Sequence, residues 1–568
     1  MTLAATYGVA CGGSSLLVSD DDGGSPGEDG GGDVTDGASS DGAQGDAPGS
    51  DAAIRDATIQ DADASESDAE SDDASDAGKV DASDAGNDAD AGFFDPPTII
   101  VGAANRILLV GTIVTPDTII DGEVLVVDAN ITCVAAGSAC ETDPNAIGAT
   151  VIDTKGIISP GLIDTHNHIL FDIFDDDDWL PLHTYTNHDD WTAEARYGAM
   201  LDVKQCLADD SQGKPAWCDS TPYGTAAGSL RCEMDKYGEL KGLVSGTTSI
   251  VGLPGTSSGC FSSLARSIDV AQNGLGGDIV QTSAIFPPSK SSADSVCDNI
   301  DAGTTDAYLI HCGEGNDAKT MAEFAKLGTV TTMQGCLYVS QTTVTHGVAF
   351  SGSDFALMAD AGMKLTWSPQ SNVTLYDATA DIPTALDAGV RIALGPDWSM
   401  GGSQNMLDEL RFAKAWSDAH WGGLLSARDL LTMATVNGAS VVARSEIGRV
   451  QVGAIADLAV FSGDRANPYD AILADRPSDV RLVMVGGTVL YGDSVLQQAG
   501  PTLPGCETID ICGRSKFLCV ATTSSASKLD QTLATIESNL SAALTTADSL
   551  TPSDGFDFSP LTPLVKCP

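Results

Sequence analysis

Two histidines one residue apart, His166 and His168, lie in the stretch GLIDTHNHILFDIFDDDDW (161–179). Side chains repeat every two residues along a strand, so both rings face one side and can reach one ion. The pair says little alone, because a His-x-His motif is short. Three later residues give it weight: His311 follows the apolar run AYLI, His346 follows TVT, and Asp397 follows IALGP. Each is a metal-capable side chain at the end of an apolar, strand-like run. Imidazoles and a carboxylate are donors that zinc and other divalent ions accept. The aspartate run 175–178 is a different matter. It lacks the Asp-x-Asp-x-Asp-Gly spacing and distal Glu of a calcium loop, and reads as solvated surface at the start of a pocket-lining loop.

The elements that must position these residues are legible in the middle of the chain. DAYLIHCGE reads as a buried strand and AKTMAEFAKLG as a helix; strand TTVTHG, helix SDFALMADAG, strand MKLTWSPQ, helix IPTALDAG and strand VRIALGPDW follow. Ser353 or Asp354 is the expected cap of the second helix. Gly328, Gly362 and Gly389 stand where each helix should end, a position that favours a left-handed glycine. Such alternation implies parallel strands joined by crossover helices, and about 290 residues is the size of an eight-fold β/α barrel. All C-terminal strand ends of a barrel meet at one face, which is where His166, His168, His311, His346 and Asp397 would gather.

On either side of this region, RILLVGTIVTPDTIIDGEVLVVDANITCVAAG and GRVQVGAIADLAVFSG with VRLVMVGGTVLYGD read as short strands. They predict one small β-sandwich built from both flanks. The expected organisation is an acidic spacer over 1–95, the composite β domain over 97–155 and 445–495, the barrel over 156–444, and an extension over 496–568. In that extension LDQTLATIESNLSAAL places Leu529, Leu533, Ile536 and Leu540 on one helical face.

The net charge of −52 makes nucleic acid an unsuitable partner. Residues 1–95 carry 24 acidic side chains against Arg55 and Lys79. With so little apolar surface to bury, this Asp/Ala/Gly/Ser segment is expected to be disordered. It follows MTLAATYGVACGGSS, which resembles the end of a bacterial lipoprotein signal with Cys11 as the lipidated residue. The basic region is missing and the apolar part is short; a leader continuing upstream of Met1 would complete it. The resulting expectation is an exported protein of the cell envelope or periplasm. Fourteen cysteines without Cys-x-x-Cys spacing then read as disulfides, whose pairing the sequence leaves open, with Cys312 and Cys336 expected as buried free thiols.

PGLIDTHNH, SGTTSIV, IHCGE, THGVAFSGSDFALMADAGMKLTWSPQSN, GPDWSMGGSQNMLDELRFA and MATVNGASVV with IGRVQVGAIADLAVF resemble the metal-dependent amidohydrolase superfamily. Within it they are most similar to the cyclic-amidine deaminase and chlorohydrolase branch, over about 100–495. The resemblance implies that His166, His168, His311 and Asp397 ligate one divalent metal ion, zinc before iron. It implies that Glu314 is the proton-shuttling acid and that His346 orients the water or polarises the substrate. Lys290 is the only nearby candidate for the lysine of binuclear members, and its Pro-Pro and Ser-rich surroundings make a poor strand end. His183 and His188 lie on the loop after the first barrel strand, where one of them is expected to contact substrate. His420 reads as structural, the PQSN segment as a loop stiffener, and Ser399 and Asp164 as supports.

The reading of the sequence is therefore an exported metal-dependent hydrolase acting on a C–N bond of a small molecule, most simply deamination of a heterocyclic amine. Hydrolysis of a cyclic amide or dipeptide-like bond, and a non-catalytic surface scaffold, are the alternatives.

Overall fold

The computed structural model describes residues 95–568 apart from 211–212, 254–263, 271–273, 276–278, 502–504, 551–554 and 568. The acidic spacer and Cys11 lie outside the described residues. Eight strands carry the middle of the chain: β1 (Leu162–Asp164), β2 (Thr247–Ile250), β3 (Arg266–Ser267), β4 (Val280–Ser283), β5 (Ala307–Cys312), β6 (Thr342–His346), β7 (Lys364–Trp367) and β8 (Arg391–Leu394). β1, β2 and β3 pair in sequence order, as do β4 to β8, and every ladder is parallel. β8 returns to β1. Thr165 N–H donates to Leu394 O (3.2 Å), Asp397 N–H to His166 O (2.9 Å) and His168 N–H to Asp397 O (2.7 Å). Among the described residues no ladder joins β3 to β4 or β8 to β1; the link between the last two is the isolated Asn167–Asp397 bridge and the bonds around it. The molecule is thus α/β with sequentially ordered parallel strands, and the segment that follows the first is hydrogen-bonded to the end of the last and the segment after it.

The helix ends show which sequence signals governed them. Gly362 and Gly389 close their helices with φ of 71° and 90°, in the left-handed region where a Cβ is disfavoured. Gly328 does not: its φ is −69°. There glycine is required by close packing, since a Cβ would stand 2.6 Å from the Tyr338 ring. The helix Gly352–Ala361 is capped two or three residues earlier than Ser353 or Asp354 suggested. Ser351 is the cap, and its N–H and hydroxyl both donate to the Asp354 carboxylate (2.9 and 2.6 Å).

Both flanks join one ten-stranded sheet. The strand Leu458–Phe461 lies antiparallel on Ala149–Pro160, which binds the two halves of the sequence together. The hairpin Gly505–Ile511/Arg514–Ala521 extends the same sheet through Tyr491 opposite Leu518. Ala149–Pro160 runs through Gly161 directly into β1; a Cβ on Gly161 would meet the Thr248 side chain at 2.2 Å. The sheet therefore sets the position of the His166/His168 strand.

The extension contains the expected amphipathic helix, but it begins at Leu533, and Leu529 lies in the turn before it. Its C-terminal tail packs on the loop after β1, and this corrects the reading of the aspartate run. Asp175 and Asp178 are buried, and only Asp177 is open, with its side chain 93% exposed. Asp175 accepts from the Thr562 hydroxyl and pairs with Lys566 Nζ at 2.9 Å. Asp178 accepts from Asp175 N–H (2.8 Å) and Asp176 from Gly401 N–H (2.7 Å). A carboxylate run can fold inward here because backbone donors and one lysine satisfy it.

Cys133–Cys140, Cys206–Cys218, Cys297–Cys336, Cys506–Cys519 and Cys512–Cys567 are disulfides. Cys312 is a buried free thiol as expected. Cys336 is not free, because the helix Lys290–Asp301 brings Cys297 beside it. Among the described residues no helix is long and apolar enough to cross a membrane.

Candidate metal centre and active site

His166 and His168 follow β1, His311 lies in β5, His346 ends β6, and Asp397 follows β8. Their side chains converge with that of Glu314. Donor atoms of His166, His168 and His311 lie within 4.8 Å of one another, as do those of His166, His346 and Asp397, and of His311, Glu314 and His346. His346 and Asp397 have φ of 74° and 75°. A left-handed conformation costs a non-glycine residue about 1–2 kcal/mol, and its presence at these two strand ends marks where the fold accepts strain to aim a side chain.

The donor geometry fits a single ion. Asp397 Oδ1 lies 3.0 Å from His166 Nε2 and 3.4 Å from His168 Nε2, and His168 Nε2 lies 3.3 Å from His311 Nε2. Tetrahedral ligands at about 2.0–2.1 Å from zinc stand roughly 3.3–3.4 Å apart. The buried His166 Nε2 makes no hydrogen bond despite its close neighbours, so these atoms surround a common point rather than satisfy one another.

Supporting contacts fix which atom of each residue faces that point. His311 Nδ1 is 3.2 Å from Ser283 O, an acceptor only, so Nδ1 carries the hydrogen and Nε2 the lone pair. His346 Nδ1 is 2.9 Å from Asn372 Oδ1, which leaves its Nε2, without a hydrogen-bond partner, turned to the site. Ser371 donates to Asp397 Oδ2, and Asp164 accepts from His166 N–H (2.9 Å) and Asn167 Nδ2 (3.0 Å).

Electrostatics point the same way. Burial, reinforced by neighbouring imidazoles, holds His166 and His311 well below the ordinary histidine range. Burial pushes His168 down to about 3, with Asp397 opposing. All three rings are therefore neutral donors across the physiological range, the form a metal requires.

Glu314 stands beside this cluster. Its Oε1 accepts from the Tyr376 hydroxyl at 2.7 Å, and its Oε2 is 3.7 Å from His346 Nε2. Near His168 the rings of Trp398 (5.6 Å) and Phe171 (6.3 Å) form an aromatic wall that Trp179, Trp191 and Tyr197 continue.

Of the other residues singled out in the sequence, Lys290, His420, His183, His188 and Ser399 are not among those whose donor atoms cluster. Lys290 is exposed at the start of the helix Lys290–Asp301 and pairs with Asp294 at 2.9 Å. His420 ends a helix and stacks on Trp416. His183 is exposed against Tyr185. His188 Nε2 is 2.9 Å from Glu323 Oε1, whose other oxygen accepts from Gly313 N–H at 2.7 Å. Burial opposes charge on His188, but the Glu323 and Glu314 carboxylates outweigh it and raise its pKa. Ser399 bridges Lys241 Nζ (3.1 Å) and the Asp172 carboxylate (2.9 Å). The PQSN segment is more than a stiffener. It opens the helix Pro369–Tyr376, and its Ser371 and Asn372 hold Asp397 and His346. Tyr376 and Trp191 were not foreseen at all; a tyrosine at a helix end and a tryptophan in a polar loop carry no local signal of what they reach.

Residues 307–490, which span β5 to β8 with His311, Glu314, His346 and Asp397, match the amidohydrolase family. The chain belongs to the amidohydrolase superfamily. Its relatives are of the deaminase-like branch. This amidohydrolase is 26% identical over 404 residues to a 5-methylthioadenosine/S-adenosylhomocysteine deaminase of Haloarcula marismortui, covering 62% of this chain and 86% of that one. It is 26% identical over 404 residues to a 5'-deoxyadenosine deaminase of Methanosarcina barkeri, covering 66% and 88%. In fold it is similar to an atrazine chlorohydrolase of Arthrobacter aurescens, solved with zinc and atraton, with a TM-score of 0.53, 20% identity, and 70% and 96% of the two chains covered.

Proposed function

We propose that this amidohydrolase is a metal-dependent hydrolase of C–N bonds other than peptide bonds, and that it deaminates a heterocyclic amine. The observation that carries the reading is Glu314, with a carboxylate oxygen 3.7 Å from His346 Nε2, at the edge of a cluster of neutral imidazoles and Asp397. His166, His168, His311 and Asp397 are the proposed ligands of one divalent ion, with zinc first and iron second. When bound, such an ion acidifies water to a pKa of about 7 and supplies a nucleophile near neutral pH.

The chain's own residues do the rest. Glu314 takes a proton from the attacking water at Oε2 and returns it to the leaving nitrogen, so water and the amine become a carbonyl and ammonia. His346, its Nδ1 held by Asn372, keeps Nε2 on the reacting atoms. Trp398 and Phe171, packed edge to face beside His168, offer an apolar flank to a planar ring. The similarity to 5-methylthioadenosine/S-adenosylhomocysteine and 5'-deoxyadenosine deaminases supports an aminopurine nucleoside as the substrate class.

The finer architecture belongs to the same reading: a closed eight-stranded barrel over 156–444, with 97–155 and 445–495 forming a sandwich beside it. The return of β8 to β1 supports closure. The disulfides support an oxidising compartment, and with Cys11 and the acidic spacer an exported lipoprotein is proposed. A panel of aminopurine nucleosides, free nucleobases and cyclic amides, assayed with added zinc or iron, tests the function. Ammonia release from an amine supports deamination; hydrolysis of the cyclic amides alone contradicts it.

A further inference from the structure

Glu314 has two oxygens and two very different neighbours. Oε2 faces His346 Nε2 at 3.7 Å, too far for a direct hydrogen bond but close enough for one polar atom to contact both at about 2.8 Å. Oε1 is occupied by Tyr376, whose hydroxyl donates at 2.7 Å. That hydroxyl accepts in turn from Trp191 Nε1 at 2.9 Å. Tyr376 and Trp191 are both buried, and Tyr376 ends the helix Pro369–Tyr376 that also carries Ser371 and Asn372. Burial, then the Glu314 charge, pushes the phenol well above its ordinary range, so it stays a donor.

Trp191 belongs to the loop after β1, and that loop is stitched to both partners of the hydrogen-bond chain. Tyr185 N–H donates to Leu375 O (2.7 Å) and Asn316 N–H to Thr186 O (2.8 Å). Asn187 bridges to Gly315, the residue after Glu314, and its Nδ2 donates to Asp317 at 2.9 Å. Asn316 Nδ2 closes the circuit on Tyr376 O (3.3 Å).

We infer that Tyr376 and Trp191 are positioning residues that fix the Glu314 carboxylate for proton transfer and link its orientation to the loop after β1. The inference rests on the proposed deamination for its kinetic consequence, but not for its geometry. With Oε1 pinned, the carboxylate cannot rotate about its last torsion, which is broad for an unrestrained glutamate. Oε2 is thereby held toward His346. The loop that borders the substrate region thus reaches the proton-transferring group through one tryptophan and one tyrosine.

Tyr376→Phe keeps the ring and removes the donor. The expected result on the metal-loaded protein is a fall in kcat of about tenfold with KM within twofold and metal content unchanged. Trp191→Phe, which leaves the Tyr376–Glu314 bond in place, should lower kcat less. In a Glu314→Gln background Tyr376→Phe should add nothing. A crystal structure of Tyr376→Phe should show the Glu314 carboxylate rotated away from His346. A kcat within twofold of the parent, or a parallel loss of kcat, metal and thermal stability, would overturn the inference. If the parent protein releases no ammonia from any amine, the functional reading falls, and the inference is then decided by the crystal structure alone: a rotated carboxylate upholds it, and an unmoved one overturns it.

Discussion

The Ser371 hydroxyl donates to Oδ2 of Asp397, so that Oδ1 is the oxygen turned toward His166 and His168 at 3.0 and 3.4 Å. One carboxylate is thereby divided between a structural bond and the proposed metal. Ser371→Ala should weaken metal affinity about 10–100-fold while every ligand remains. Competition with a chelator measures this; an unchanged affinity would show that Asp397 orients itself.

Substitution of His166, His168 or His311 by alanine should leave purified protein with far less than one ion per chain, whereas Lys290→Ala should change nothing, since Lys290 is exposed and engaged with Asp294. Elemental analysis decides it. Loss of an ion from Lys290→Ala would reinstate a second metal.

The strand-end histidines and Asp397 were legible because a β/α alternation brings strand ends to one face and each of these ends follows an apolar run, whereas Glu314, three residues beyond His311, was indicated by the family resemblance. Ser371, Asn372, Tyr376 and Trp191 were not, because their partners come from other elements and nothing adjacent in sequence announces them. The aspartate run was misread for the same reason. Lys566, which neutralises Asp175, stands at the far end of the chain, and a local rule sees only four like charges. Cys336 failed likewise: it lies in a turn, and its partner Cys297 sits 39 residues away on the helix Lys290–Asp301.

The buried aspartates carry a pH signature. Burial, aided by the Asp175 carboxylate, pushes Asp178 up to about 7. In the unfolded chain it would titrate at about 3.9. The folded state therefore holds a proton that the unfolded state has released between those values. This contribution to stability is complete below about 3.9, declines as pH rises, and is lost above about 7. Asp178→Asn should raise the unfolding temperature more at pH 8 than at pH 5. An equal change at both would place the titration elsewhere.

Lys566→Ala leaves Asp175 buried with only its hydrogen bonds from Thr562 and Asp177 N–H. Loss of a charged hydrogen bond of this kind costs about 1–3 kcal/mol. Hydrogen exchange in residues 172–179 should accelerate, and reduction of the Cys512–Cys567 tether should act in the same direction. Unchanged exchange would mean that the tail does not brace this loop.

Deamination is the work proposed for this one cluster. The measurement that tests it most directly is ammonia release from aminopurine nucleosides by zinc-loaded protein, with Glu314→Gln alongside at the same metal content. At least one of them should yield one ammonia per carbonyl product, with kcat reduced at least about 100-fold by Glu314→Gln. Equal ammonia release by the two proteins, or none from any amine with one ion bound per chain, would contradict it.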